Sequence, residues 1–426
     1  MGVFEIASVR GLLALDSRGS PTVKAVVATR GGAVGWAIAP SGASRGSGEA
    51  VELRDGGRRW AGRGVSIALA RLNEVVAPRL VGVDARSQAL VDAMLVALDG
   101  TEDKSRLGGN VTTAVSLAVA RAAAAQLGLP LYRYLGGVSA RVLPTPLMNV
   151  INGGVHAGNE LSFQEFLIAP VNADSFTEAL RVAVEVYWEL KRLLRERYGA
   201  SAVNVGDEGG FAPPMRRVEE ALEALVEAVR RSGYSEGSDV LLGVDAAASQ
   251  LRESGGYRVD GRLLGRGELV ELYAGLASRY PIAYIEDPLA EDDFEGFAEL
   301  ARRLGGRALV CGDDLYVTRV DRLKKGLEAG STTAALLKVN QVGTLTEALE
   351  YAHLAESSQL KVVVSHRSGD TEDPFIADLA VALRAPLIKT GAPARGERTA
   401  KYNRLIEIEE ELGPQARYAG VSAFKR

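Results

Sequence analysis

Ala334-Ala335-Leu336-Leu337-Lys338-Val339-Asn340 is an apolar run of strand length broken by a single lysine. An ammonium at the end of a buried strand is costly unless it is paired or gives up its proton. It is also scarce here, because the chain has ten lysines against forty arginines. The same pattern recurs on both sides. Leu241-Leu242-Gly243-Val244 leads to Asp245, Ala283-Tyr284-Ile285 to Glu286, and Ala308-Leu309-Val310-Cys311-Gly312 to Asp313. Val362-Val363-Val364-Ser365 leads to His366, and Pro386-Leu387-Ile388 to Lys389. From Asp313 the steps to Lys338, His366 and Lys389 are 25, 28 and 23 residues, the length of one strand, one helix and their loops. That rhythm predicts a β/α barrel whose chemistry lies at the carboxyl ends of its strands.

The rest of the chain is read outward from that frame. Helices are predicted at Ser175 to Tyr198, Val218 to Ser232, Gly267 to Arg279, Asp292 to Leu304, Asp321 to Ala329, Thr344 to Ser357 and Asp373 to Leu383. The 41 residues from Asp245 to Glu286 leave room for a hairpin excursion around Ser254 to Gly261. Before the barrel, β-rich runs at Val3 to Val9, Thr22 to Thr29 and Ala33 to Ile38 read as an antiparallel meander. Helical periodicity follows at Ser66 to Val76, Ser87 to Leu98 and Thr112 to Leu127. The expected fold class is an α/β barrel with an irregular start, residues 139–426, behind an N-terminal α+β domain, residues 1–138. That first domain carries a small polar loop, Ser41 to Gly48, read as mobile.

Hydrophobic content of 47%, charged content of 24% and a net charge of −4 fit an ordinary globular protein. No basic run points to nucleic acid, and no apolar run reaches the length of a membrane span. The amino terminus lacks the basic and apolar regions of a signal peptide, so a cytoplasmic location is expected. Cys311, the single cysteine, excludes an internal disulfide and reads as a core thiol.

Asp245, Glu286 and Asp313 are carboxylates on three successive strand ends, with no cysteine or histidine beside them. Hard oxygen donors in that number suit Mg²⁺. Of the three histidines, His353 lies in a helical stretch and reads as structural; His366, at a strand end, and His156, among glycines, are site candidates. Arg367 and Ser368 offer a donor fork and a hydroxyl that suit phosphate. Asp207 and Glu208 sit in a glycine-flanked loop, and Gln164 and Glu165 interrupt another apolar strand. A lysine base, a carboxylate-bound divalent cation and a second acid are what proton removal beside a carboxylate, followed by loss of a leaving group, requires. Lys338 can act as that base only if a neighbouring cation, such as the metal or Lys389, lowers its pKa.

Several stretches resemble the enolase family: Leu15 to Val23, Pro40 to Ser44, Glu52 to Gly56, Val205 to Gly210, Ile285-Glu286-Asp287-Pro288, Gly312-Asp313-Asp314-Leu315, Leu337 to Thr344, Ser365 to Gly369 and Ile388 to Pro393. The resemblance implies Mg²⁺-dependent dehydration of 2-phospho-D-glycerate to phosphoenolpyruvate in glycolysis, two Mg²⁺ per site, and a homo-oligomer, dimer or higher. It implies Lys338 as base, Glu208 as acid with Glu165 beside it, and Asp245, Glu286 and Asp313 as ligands of the first ion. Ser44 matches the loop ligand of the second. Lys389 matches the cation facing the substrate carboxylate, and His366, Arg367 and Ser368 match the phosphate side. His156 and Gln164 match a closing loop and its support. Arg45, Asp370 and a short Gly56 to Gly64 segment depart from the family pattern. A superfamily acid-sugar dehydratase or racemase, and an enolase-like binding protein with a secondary role, including a cell-surface one, are the alternative readings.

Overall fold

The computed structural model describes residues 2–42, 46–154 and 157–425. Strands β1 (Ile6–Leu15), β2 (Pro21–Thr29) and β3 (Val34–Ile38) form an antiparallel sheet in that order. The first strand begins and ends later than the Val3 to Val9 run predicts, because Ala14 and Leu15 extend the ladder opposite Thr22 and Pro21. Helix α2 (Gly109–Gln126) covers this sheet, and helix α1 (Gln88–Asp99) packs against α2. The whole first half of α2 is buried, and Gly35 of β3 lets it approach: a Cβ there would stand 2.2 Å from the Ala118 carbonyl. The helix predicted at Ser66 to Val76 is present but passes through a π-helical stretch, Arg71–Val76, and runs on to Leu80.

Eight strands close a barrel: β4 (Thr145–Asn152), β5 (Glu165–Pro170), β6 (Val240–Asp245), β7 (Ile282–Glu286), β8 (Leu309–Gly312), β9 (Ala334–Leu337), β10 (Lys361–Ser365) and β11 (Leu387–Lys389). All neighbours are parallel except β5, which runs antiparallel to both β4 and β6. Its direct connection from β4 has no crossover helix, and that geometry requires an antiparallel pair. Two helices, α3 (Phe176–Tyr198) and α4 (Val218–Arg231), then precede β6. Regular alternation follows through α5 (Arg266–Arg279), α6 (Phe294–Leu304), α7 (Val320–Ala329), α8 (Leu345–Ser357), α9 (Phe375–Ala382) and α10 (Gly396–Leu412). The helix at Gly396–Leu412 is the one element of this layer that the sequence reading lacks. The predicted excursion is a three-stranded sheet, Arg252–Glu253, Gly256–Val259 and Arg262–Leu264.

Local signals fix the ends of these helices. Ser175 accepts a hydrogen bond from the Glu178 amide at the start of α3, and Thr344 accepts one from Glu347 at the start of α8. Gly305 and Gly330 end α6 and α7 in the left-handed conformation that a residue without a Cβ adopts freely.

Period-two alternation sorts each barrel strand into two faces. Leu147, Leu167, Tyr284, Cys311, Leu336, Val363 and Leu387 fill the barrel interior as one cluster, while Met148, Ile168, Ile285, Val310, Leu337, Val364 and Ile388 join the larger core beneath the helices. Cys311 is accordingly a packed thiol, and burial pushes its pKa well up. His353 stands exposed on α8 and lies in neither core nor site.

Candidate active site

The same parity explains how the ionisable groups meet. Glu286 lies two residues beyond inward-facing Tyr284, Asp313 two beyond Cys311, Lys338 two beyond Leu336, and Lys389 two beyond Leu387. Each side chain therefore points into the barrel mouth at the carboxyl end of its strand. Glu165 reaches the same mouth from the opposite direction: β5 is antiparallel, so its first residue pairs with Asp245 on one side and Asn152 on the other.

Lys389, 3% exposed, anchors this cluster. Its Nζ lies 2.7 Å from Glu286, 3.0 Å from Glu165 and 3.1 Å from Asp245. The Tyr284 hydroxyl donates to the other Glu286 oxygen at 2.6 Å. Burial, followed by the Asp245 charge, pushes the Glu286 carboxyl up to about 8. Burial and then Glu208 push Glu165 well above the usual carboxylate range.

Lys338 donates to Asp313, whose second oxygen accepts from Gln341 at 2.9 Å. Burial is the largest influence and drives the Lys338 ammonium toward neutrality, but the contacts with Asp313, joined by the Glu286 charge, together turn the net shift upward. In this state Lys338 is an acid, not a base. A cation that engages Asp313 removes that restraint and leaves burial, Arg367 and Lys389 to lower the lysine. The lowered pKa expected from the sequence is therefore not found at Lys338, whose net shift is upward.

On the far wall, Asn149 donates to Glu208 at 3.0 Å, and His366 Nε2 lies 3.6 Å from the same carboxylate oxygen. Arg367 donates to both oxygens of Glu49, at 2.8 and 3.2 Å, and to Asn340 at 3.2 Å. An incoming phosphate would therefore share this guanidinium with Glu49. The Ser368 carbonyl accepts from Arg398. Gln164 lies 3.5 Å from Asp245 and accepts from Gln250 at 3.2 Å. Ser44 and His156 fall outside the described residues, as does Arg45.

The donor set suits a hard divalent cation. Asp245, Glu286 and Asp313 supply oxygen only, are buried, and are neutralised here by two lysines, so positive charge is wanted at this place. The tightest acidic group among the described residues is a different one, Asp287, Asp313 and Asp314, with one oxygen of each within 4.8 Å of the others. Asp287 is already engaged: its oxygens accept from the Asp313 and Asp314 amides at 2.9 and 2.8 Å. It orients Asp313 and has little left for an ion. A wide groove of about 1200 Å³ opens at the opposite end of the strands beside Leu309, Lys361 and Pro386. None of the converging acids faces it, so chemistry and not volume locates the site.

Family models match both halves of the chain. Residues 6–135 match the model described as enolase, N-terminal domain, and residues 140–426 match that of the enolase C-terminal TIM barrel domain. The chain belongs to the enolase family. Curated enolases similar to it include that of Aeropyrum pernix, 64% identical over 422 residues (99% of this chain and 98% of the relative). Those of Pyrococcus furiosus and Methanopyrus kandleri are each 57% identical, covering 98% of this chain and 97% and 99% of theirs. In an enolase barrel, the groups that sequence reasoning missed here are supports: Asn149 on Glu208, Gln341 on Asp313, Glu49 on Arg367 and Arg398 behind His366. Asn149 alone left a signal, lying two residues beyond inward-facing Leu147.

Proposed function

We propose that this enolase-family chain interconverts 2-phospho-D-glycerate and phosphoenolpyruvate by Mg²⁺-dependent dehydration, with Lys338 as base and Glu208 as acid. One observation carries the reading: Lys338, its side chain 13% exposed and bonded to a metal-type carboxylate, Asp313, opens into the same polar cavity as a buried acid, Glu208. Asp245, Glu286 and Asp313 would hold Mg²⁺, which when bound supplies positive charge against the anion that builds up on the substrate carboxylate. Ser44 is assigned to a second ion.

The chain's own groups do the rest. Neutral Lys338 takes the proton from C2. Glu208, held by Asn149, delivers a proton to the C3 hydroxyl, which leaves as water while the electron pair from C2 forms the double bond. Lys389 faces the substrate carboxylate, with Glu165 and Gln164 supporting that side. Arg367, Ser368 and His366 hold the phosphate side, and His156 is assigned to substrate closure. Burial of the wall groups excludes water and strengthens each of these interactions.

The proposal extends to a domain boundary at 138/139, a homo-oligomer of dimer size or larger, and a cytoplasmic setting. No single helix among the described residues is long and apolar enough to cross a membrane. Purified protein incubated with 2-phosphoglycerate and Mg²⁺, followed by ultraviolet absorbance, should form phosphoenolpyruvate and should stop on addition of EDTA. No product, or product undiminished by EDTA, contradicts the proposal.

A further inference from the structure

His366 follows inward-facing Ser365 and is turned away from the parity of its strand, so its ring is held between the barrel mouth and helix α10. From that helix comes Arg398, wholly buried. Its Nη1 meets His366 Nδ1 at 2.5 Å and donates to the Arg367 carbonyl at 2.6 Å. Its Nη2 donates to the carbonyls of Ser368 and Asp207 at 2.6 and 3.0 Å. A guanidinium has donors only and keeps its charge. Nδ1 must therefore be the acceptor, and a neutral imidazole with Nδ1 bare carries its proton on Nε2. That nitrogen is the one 3.6 Å from Glu208.

We propose that Arg398 is a positioning residue that fixes His366 as the neutral Nε2–H tautomer, a hydrogen-bond donor facing Glu208 that cannot accept a proton from it. A second proton on the ring would place an N–H against the guanidinium. Arg398 thereby confines the reactive proton to Glu208, so His366 binds and orients without relaying. The strongest other charges acting on the ring are Glu208, which favours protonation, and Lys389 and Lys338, which oppose it; Asp370 lies 3.7 Å from Arg398 Nη1. Burial is the largest influence and holds the imidazole well below its usual range. The meaning for catalysis rests on Glu208 being the acid of the proposed reaction, whereas the tautomer does not.

The test uses full-length protein with ¹⁵N-labelled histidine. Three histidines give a readable long-range proton–nitrogen correlation spectrum, and His366 is assigned by its loss in His366→Gln. The expected result is one bare and one protonated ring nitrogen at His366, the latter Nε2, unchanged from about pH 5.5 to 8.5. A protonated Nδ1, or conversion to imidazolium within that range, overturns the proposal. Arg398→Lys retains a donor and should keep the tautomer. Arg398→Met should let the ring titrate nearer its ordinary value of about 6.5 and add a new acidic limb to the pH profile of turnover. An unaltered spectrum and profile in Arg398→Met also overturn it; if that variant does not fold, the unmodified protein and Arg398→Lys decide. Turnover of 2-phosphoglycerate is read separately and bears only on the proposed reaction.

Discussion

Replacing Lys389 by methionine removes the one ammonium that touches Glu286, Glu165 and Asp245 while keeping the length of the side chain. With 3% of Lys389 and at most 6% of each acid exposed, water cannot take its place. In metal-free protein a buried carboxylate left without its partner either stays charged, at about 3–5 kcal/mol, or binds a proton. Binding the proton costs about 1.4 kcal/mol for each pH unit above the ordinary glutamate value, which is about 4 kcal/mol at pH 7 and about 1 kcal/mol at pH 5. The sign is fixed by linkage: the variant's folded state holds a carboxyl whose pKa is raised, so its stability relative to the parent is greatest at low pH and is lost as pH rises. Guanidinium unfolding of both proteins in EDTA, at pH 5 and pH 7, measures the two deficits. Added Mg²⁺ should shrink the pH 7 deficit, because the ion replaces the missing charge. A deficit below about 1 kcal/mol at pH 7, or one independent of pH, would refute the view of Lys389 as the counter-charge of this cluster.

Other perturbations follow from the same geometry. Gln341→Leu removes the hydrogen bond that orients Asp313 and should weaken Mg²⁺ binding about 10- to 100-fold, measured by titration calorimetry. Asn149→Leu removes the 3.0 Å hydrogen bond that Asn149 donates to Glu208; kcat should fall while KM for 2-phosphoglycerate changes little, since the lost contact serves the acid and not the bound substrate. Ser175→Ala deletes the cap of α3 and should cost about 1 kcal/mol in a denaturation experiment with activity unchanged.

How far the site was legible in the sequence depends on where each group lies. Asp245, Glu286, Asp313, Lys338 and Lys389 were readable because each ends an apolar run, and strand parity then carries all of them to one mouth. Glu165 did not show that pattern, since it begins its strand; only the antiparallel course of β5 brings it to the same end. Helix α10 escaped notice because its buried face is not apolar throughout. Arg398 and Lys401 share that face with Tyr402, Leu405, Ile408 and Leu412, so the hydrophobic period is broken by two cations that serve the site. The supports Gln341 and Glu49 act across strand ends and between the two halves of the chain, and such pairings leave no local trace, whereas Asn149 is marked only by its place two residues beyond inward-facing Leu147. Arg367, expected to form a phosphate fork, lines the mouth and is held there by Glu49.

The division of labour between Lys338 and Glu208 is tested most directly by exchange of the C2 proton of 2-phosphoglycerate with deuterated solvent in the presence of Mg²⁺. The parent protein should exchange and dehydrate, Lys338→Ala should do neither, and Glu208→Gln should exchange without forming phosphoenolpyruvate. Exchange at the parent rate in Lys338→Ala would contradict the assignment of the base, and with it the account of why a scarce lysine ends this strand.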